Sequence, residues 1–282
     1  MKIALTGGSG KLGRFVLEGL RAAGNTVTNL DRRGEMGPGF VPVDLTDYGQ
    51  VVDALLGTDE RDGGFDALVH LAAIPAPGLA TNSATFRNNM LSGFNTVDAA
   101  ISTGIRNIVF ASSETVLGLP FEIDPPYIPV DEEYTTRPES TYSMVKAMEE
   151  EMASHYARRF PDLKIVGLRF SNVMAPEDYA AFEDFQDDPL VRKWNLWGYI
   201  DARDGAQAVL RALESDRRGF DRFIIAAADT VMRTPSAELA DAVFPRVERA
   251  RRISGNETLL SIEHARAVLG YEPQYSWRDA TR

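Results

Sequence analysis

The sequence predicts an α/β fold, a parallel sheet covered by helices on both faces. Three observations carry that prediction. Short apolar runs alternate along the chain with stretches of helical periodicity. The runs are apolar at successive positions rather than at every second one, so both faces of the sheet are covered. The first run also meets a glycine-rich turn, "TGGSGKLG", that opens a helix.

Each element follows in order. Lys2 to Thr6 is the first strand. The helix after it carries Leu12, Phe15, Val16, Leu17 and Leu20 at turn spacing and closes at Gly24. "NTVTNLD" is a second strand ending in Asp31, and "GFVPVDL" a third. "DYGQVVDALLG" reads as a helix, with Asp47 the better candidate for its cap. "FDALVHLAA" is a fourth strand. Residues 82–104 form a long helix with Phe86, Met90, Phe94, Val97, Ala100 and Ile101 on one side. "RNIVFASS" is a fifth strand. From Gly118 to Arg137 the chain is acidic, and prolines at 120, 125, 126 and 129 rule out a helix, so a long loop is expected. A helix covers residues 139–160, "LKIVGLRF" is a sixth strand and "RFIIAAA" a seventh, and the remainder is mixed helix and loop.

Composition narrows the function. With 282 residues the chain is one large domain, or one domain with a small appendage. A net charge of -11 argues against a nucleic-acid surface, which needs a basic patch. Cysteine is absent, which excludes disulfides, thiolate nucleophiles and cysteine metal sites. His70, His155 and His264 have no metal-ligand spacing, so no metal is expected. The apolar start is too short for a signal segment, and no run is long enough to span a membrane. The expectation is a soluble cytoplasmic protein.

"TGGSGKLG" sits in the context that a dinucleotide-binding turn requires, between a strand and a helix. Gly7 permits the tight turn, Gly10 lets the backbone approach a pyrophosphate at the helix N-terminus, and Gly13 allows close packing. Lys11 and Leu12 belong to the same cofactor-binding turn. Asp31 lies 18 residues beyond Gly13, at the strand end where a carboxylate accepts from ribose hydroxyls. It would repel a 2'-phosphate and so favours NAD. Arg32, Arg33 and Lys11 would complement one, which leaves NADP open. Asp44 and Leu45 follow the third strand, where a side chain can read the adenine edge. Leu71, Ala72 and Ala73 follow the fourth, where small residues let the cofactor's central ribose approach.

"STYSMVKA" places Tyr142 and Lys146 one helical turn apart. By itself the pair is ordinary. Taken together, TGGSGKLG, Asp31, "DLTD", "HLAAIP", "NNMLSGFNTVDAA", "VFASS", "YSMVK" and "LRFSNV" occur in an order that resembles the extended short-chain dehydrogenases/reductases, the NAD-dependent epimerase/dehydratase family. The resemblance covers nearly the whole chain. It implies a Rossmann-type, doubly wound core and a small mixed C-terminal substrate subdomain. The expected division is 1–170 for the core and 171–282 mainly for the subdomain, with residues 200–230 returning to the core. It implies nicotinamide chemistry on a sugar or related polyol. Tyr142 is then the catalytic base, since a neighbouring ammonium lowers a phenol pKa that is otherwise near ~10. Lys146 supplies that charge and holds the nicotinamide ribose, and Ser113 hydrogen-bonds the same substrate oxygen. Asn89 matches a long-helix asparagine near the cofactor, with a structural role equally open. A dimer through the two long helices is also implied.

Departures from the family pattern are informative. Leu117 replaces a tyrosine common in members that handle nucleotide sugars. Glu114 is followed by Thr115, so the acidic pair of the dehydratases is missing and water elimination is disfavoured. Only about 30 residues separate Asn172 from "YIDARD", which leaves little chain for a nucleotide pocket. Compact members such as the uronate dehydrogenases resemble this arrangement. No arginine lies between Asn172 and Arg192, however, so Arg192 or Arg203 would have to meet a substrate carboxylate. Glu114, Asn172, Arg192 and Arg203 are the substrate candidates. Trp194, Trp197 and Tyr199 stack on a sugar or pack the core. The leading expectation is an NAD(P)-dependent oxidoreductase acting on a small carbohydrate-like hydroxyl, a sugar or sugar acid. A nucleotide-sugar 4-epimerase with retained NAD is the alternative. A non-catalytic NAD(P)-sensing protein is the alternative from another class.

Overall fold

The computed structural model describes residues 1–57 and 64–280. Seven strands form the central sheet: β1 (Lys2–Thr6), β2 (Thr26–Asp31), β3 (Phe40–Pro42), β4 (Ala67–His70), β5 (Asn107–Ser113), β6 (Lys164–Phe170) and β7 (Gly219–Ile225). They lie in the order β7-β6-β5-β4-β1-β2-β3, and every neighbouring pair is parallel. That is the doubly wound arrangement. The strand order reverses between β1 and β4, where adjacent loops part and open a crevice at the carboxyl ends.

Alternation along the strands feeds two cores. In β1, Ile3 and Leu5 face a cluster with Val16 and Leu20 of helix α1 (Lys11–Ala22). Ala4, between them, faces the opposite cluster with Val97, Ala100 and Tyr156. That second face is covered by α2 (Tyr48–Leu56), α3 (Asn82–Ser102) and α4 (Thr141–Arg159). The first is covered by α1 and α5 (Ala202–Glu214).

Several elements differ from their sequence expectation. β3 is only three residues long, because Val43 to Thr46 bend away into a turn built on Asp44. Asp47 caps α2 as expected, accepting from the Gln50 amide. The expected apolar side of α3 is buried only in its second half. Val97, Ala100 and Ile101 are covered, while Phe86 and Phe94 are exposed. The inward side of the first half consists instead of Thr85, Asn89, Ser92 and Gly93. Small and polar groups are needed there because α4 brings charged side chains against it.

The proline-rich stretch 118–137 contains no helix, but it is not an open loop. Phe121, Ile128 and Val130 are fully buried. Tyr127–Ile128 pairs with Glu248–Arg249, and buried Glu132 accepts from the Ile224 amide at 2.6 Å. The stretch straps the C-terminal elements to the sheet. Those elements include α6 (Ser236–Val243), α7 (Glu263–Leu269) and α8 (Trp277–Ala280). Trp197, Tyr199, Tyr271 and Trp277 share the first core cluster with the strands, so the tertiary packing is continuous from the sheet to α8.

One buried ion pair joins α4 to the sheet. Arg169 on β6 donates to Glu150 at 2.9 and 2.7 Å, and Ser112 on β5 donates to the same carboxylate. Removing one partner strands the other charge in the core. Glu150→Ala is therefore expected to destabilise the fold by about 3–5 kcal/mol, read from urea denaturation. A loss below about 1 kcal/mol would show that water reaches Arg169.

Candidate functional site

A cavity of about 930 Å³ occupies the crevice between β1 and β4 and continues past the end of β5. One end of it is the glycine turn. Gly7 has φ +73°, and a Cβ there would stand 2.6 Å from the Ala72 nitrogen. A Cβ on Gly13 would lie 2.0 Å from the Gly7 carbonyl oxygen. Only glycine fits at either position, and the packing that needs Gly13 is within the turn itself. Gly10 precedes α1 and provides no side-chain cap, so the amides of the first turn remain for an anion. Asp31 accepts from the Ser9 amide at 3.2 Å, which ties the end of β2 to the turn.

Most of the residues expected at the cofactor border this cavity: Gly7, Gly10, Lys11, Leu12, Gly13, Asp31, Arg32, Leu45, Leu71, Ala72, Ala73, Tyr142 and Lys146. Two do not. Asp44 is held by Thr46 and Arg32, which drop its pKa to about 2, and Val43, Leu45 and Thr46 form the wall instead. Asn89 is fully buried and clamps the amide and carbonyl of Ile74 at 2.9 and 3.0 Å, so it shapes the loop after β4. Its neighbour Asn88, together with Ser92 and residues 74–77, lines the wall. Periodicity had no means of separating Asn88 from Asn89. Lys11 pairs with Asp178 at 2.8 Å and Arg32 with Asp44. Two of the three cations that would meet a 2'-phosphate thus already have acidic partners.

At the other end, Ser140 caps α4 in a reciprocal box with Ser143. The helix therefore starts just before Tyr142, and its first two turns carry Tyr142 and Lys146 to the end of β5. Both side chains are buried at their bases yet border the cavity with Ser113. Lys146 donates to the Ala111 carbonyl and to Glu149, each at 2.8 Å. Burial alone would lower the Lys146 pKa, but Glu149, Tyr142 and Glu150 carry it upward, so it stays an ammonium. Burial raises the pKa of Tyr142, against the pull of Lys146 and a hydrogen bond from Ser113, and Glu149 and Glu114 add to the rise. The phenol is neutral in this state, with two groups positioned to favour its ionised form. Ser112 is committed to Glu150 and does not compete with Ser113.

Glu149 has no counterpart in the sequence expectations. It packs against Gly93 of α3, where a Cβ would come within 2.7 Å of its carboxylate. The glycine is what admits an acid beside Lys146.

The substrate candidates separate. Glu114 and Asn172 border the cavity with Thr115, Ser171 and Trp194. Arg192 lies behind Asn172; in the amide orientation that satisfies both groups, the Asn172 oxygen accepts from it at 3.1 Å. Arg203 is elsewhere: it pairs with Asp201 at 2.8 Å and covers the Tyr275 ring. Its placement follows from the Asp201 cap of α5, which holds its amide as well as its guanidinium. Trp197 and Tyr199 are fully buried core residues, and Trp194 alone of the three aromatics reaches the cavity. Glu114 is buried, which raises its pKa to about 7 despite hydrogen bonds from Ser171 and Asn195 and the charge of Arg192.

The model of the NAD-dependent epimerase/dehydratase family matches residues 3–226, most of the chain. The chain belongs to that family. A UDP-glucose 4-epimerase from Corynebacterium glutamicum is 26% identical over 98% of this chain and 92% of its own length. An L-arabinose 1-dehydrogenase (NAD(P)(+)) from Haloferax volcanii is 29% identical over 76% of this chain and 83% of its own. Among solved structures, a short-chain dehydrogenase/reductase superfamily protein from Agrobacterium tumefaciens with bound NAD superposes with TM-score 0.74 at 23% identity, covering 99% of this chain and 94% of that one. This family member is thus an NAD-dependent enzyme of the extended short-chain type, and its glycine turn, helix terminus and Asp31 fit the dinucleotide. Among the described residues, no acid and histidine cluster could hold a metal, and no helix is long and apolar enough to cross a membrane.

Two outcomes follow for this family member. Gly93→Ala is expected to push Glu149 off Lys146 and lower kcat by about 10- to 100-fold in a protein that circular dichroism shows folded; an unchanged kcat would mean that Glu149 does not hold the lysine. Glu114 titrates in the fold near pH 7, above the 4.5 of an unperturbed glutamate. Its raised pKa means that the folded state holds the extra proton, so this stabilisation is complete below pH 4.5 and is lost as pH rises through 7. The stability of Glu114→Gln relative to the native protein should therefore rise across that window, by at most about 3 kcal/mol. A flat difference in thermal melts would show that the carboxyl is solvated.

Proposed function

We propose that this enzyme is an NAD-dependent oxidoreductase that acts on a hydroxyl of a small sugar or sugar acid. The observation that carries the reading is that Ser113, Tyr142 and Lys146 open on the same cavity as the glycine turn and Asp31. When bound, NAD supplies the two-electron acceptor. Tyr142 takes the proton of the substrate hydroxyl, Ser113 hydrogen-bonds that oxygen, and Lys146 stabilises the phenolate as it forms. Asp31 would hold the adenosine ribose hydroxyls and the free amides of the first turn of α1 the pyrophosphate. Residues 1–170, joined by the stretch 200–230, act as the nucleotide-binding core, and the rest of 171–282 serves the substrate side.

The compact stretch between Asn172 and Ile200 supports a small substrate. The amide of Ile200 donates back to the Asn172 carbonyl at 3.0 Å, and Val173–Met174 pairs with Ile200–Asp201. Phe182, Trp197 and Tyr199 fill the core between, and Trp194 is the aromatic left at the cavity. The arabinose dehydrogenase relative is consistent with a free sugar. The whole-chain match to a UDP-glucose 4-epimerase favours a second reading, epimerisation of a nucleotide sugar on retained NAD. A redox-silent NAD(P) sensor is disfavoured, since it would have no use for a tyrosine set between a buried ammonium and a serine.

A cytoplasmic dimer is part of the same proposal. Phe86, Leu91 and Phe94 on α3 and Met144 and Met148 on α4 are exposed apolar side chains on two adjacent helices, as a paired face requires.

Absorbance at the NADH band separates the readings. Reduction of added NAD by free sugars or sugar acids is expected, while interconversion of UDP-galactose without net NADH would favour the epimerase. Tyr142→Phe should lower turnover by about 10³-fold or more and leave NAD affinity nearly intact; appreciable residual activity would refute the role of the phenol.

A further inference from the structure

One buried cluster at the substrate end is not used by the Ser–Tyr–Lys chemistry. Glu114 and Arg192 are 3% and 5% exposed. Glu114 borders the cavity and accepts from Ser171 at 2.6 Å and from Asn195 at 3.2 Å. Arg192 does not border it. Its guanidinium lies over the rings of Phe185 and Trp194, donates to the Gly198 carbonyl at 3.0 Å and to the Asn172 amide oxygen, and has Glu114 as its counter-charge.

Above pH 7, where the Glu114 carboxyl is ionised, charge at the reacting end is therefore already balanced. Of the cations that border the cavity, Lys11, Arg32 and Arg33 belong to the nucleotide turn and the end of β2, and Lys146 is neutralised by Glu149. Among the described residues, no uncompensated cation faces the substrate. A carboxylate entering there would lose its hydration and meet Glu114. Neutral hydroxyls face no such cost. They can donate to the remaining lone pair of Glu114 and accept from the Asn172 amide, whose oxygen is held by Arg192.

We propose that the substrate is a neutral sugar, an aldose or similar uncharged polyol, and that the Glu114–Arg192 pair excludes sugar acids. The proposal rests on the oxidoreductase reading above and chooses within it.

The test compares NAD reduction, at a pH well above 7 so that Glu114 is ionised, by matched pairs, glucose with glucuronate and galactose with galacturonate, with UDP-galactose run alongside. The wild-type kcat/KM for each aldose is expected to exceed that for its uronate by about 100-fold or more. In Glu114→Gln the Arg192 charge is uncompensated, and the ratio should move at least about tenfold toward the uronate. A wild type that prefers the uronate, or an unmoved ratio in a folded variant, overturns the proposal and leaves the oxidoreductase reading standing. Conversion of UDP-galactose with neither free sugar oxidised overturns that reading and this proposal with it. Should Glu114→Gln fail to fold, the wild-type ratio decides.

Discussion

The site depends on keeping one ammonium group charged inside the protein. Lys146 is 2% exposed, and an unpaired charge at that depth would shed its proton rather than persist. Three features prevent this. Glu149, one turn along α4, pairs with it; the Ala111 carbonyl takes a second N–H; and Gly93 on the facing helix leaves room for the acid. Glu150 would add a second buried negative charge, but Arg169 takes it up. Two cations and two anions thus balance along one face of α4 and the sheet. The arrangement explains why the first half of α3 is lined with small and polar side chains rather than apolar ones.

That charge balance works on Tyr142 in both directions. Lys146 and Ser113 draw the phenol toward ionisation, while burial and the nearby acids resist it. A tyrosine kept neutral at rest, but beside a fixed ammonium, is suited to taking a proton only when a hydroxyl is presented to it. The nucleotide turn stands apart from this machinery. Its requirements are steric, met by glycines where a Cβ would collide with the backbone of the next loop.

At the far end the same economy of charge recurs. Glu114 and Arg192 lie in one buried network, joined through Asn195 and the Gly198 carbonyl, and the stretch 173–200 turns its aromatics inward except for Trp194. The proline-rich strap holds the C-terminal elements against β7 and so fixes that stretch from behind. The cavity wall at the Glu114 end is consequently backed by packed core.

The local grammar of the chain was enough for the parallel sheet, the glycine turn, Asp31 and the Tyr142–Lys146 helix. Each rests on short-range pattern: strand runs, turn glycines, and a spacing that one helical turn converts into a shared face. The sequence could also name Glu114 and Arg192 as candidates. It had no means of telling that Arg203 is taken by Asp201, that Asn89 clamps a loop while Asn88 lines the wall, or that Asp44 shapes a turn. Nor did any pattern distinguish Glu149 from an ordinary solvated acid in "MEEE". Those outcomes depend on side-chain pairing and burial, with partners near in sequence for Asp44, Arg203 and Glu149 and farther along the chain for Asn89. Burial and pairing are properties of the assembled fold, and they decide which charges survive and which are spoken for. The sequence by itself determined where the glycine turn, Asp31 and the Tyr142–Lys146 pair fall along the fold; only the tertiary structure decided which side chains open on the cavity and which charges are already paired.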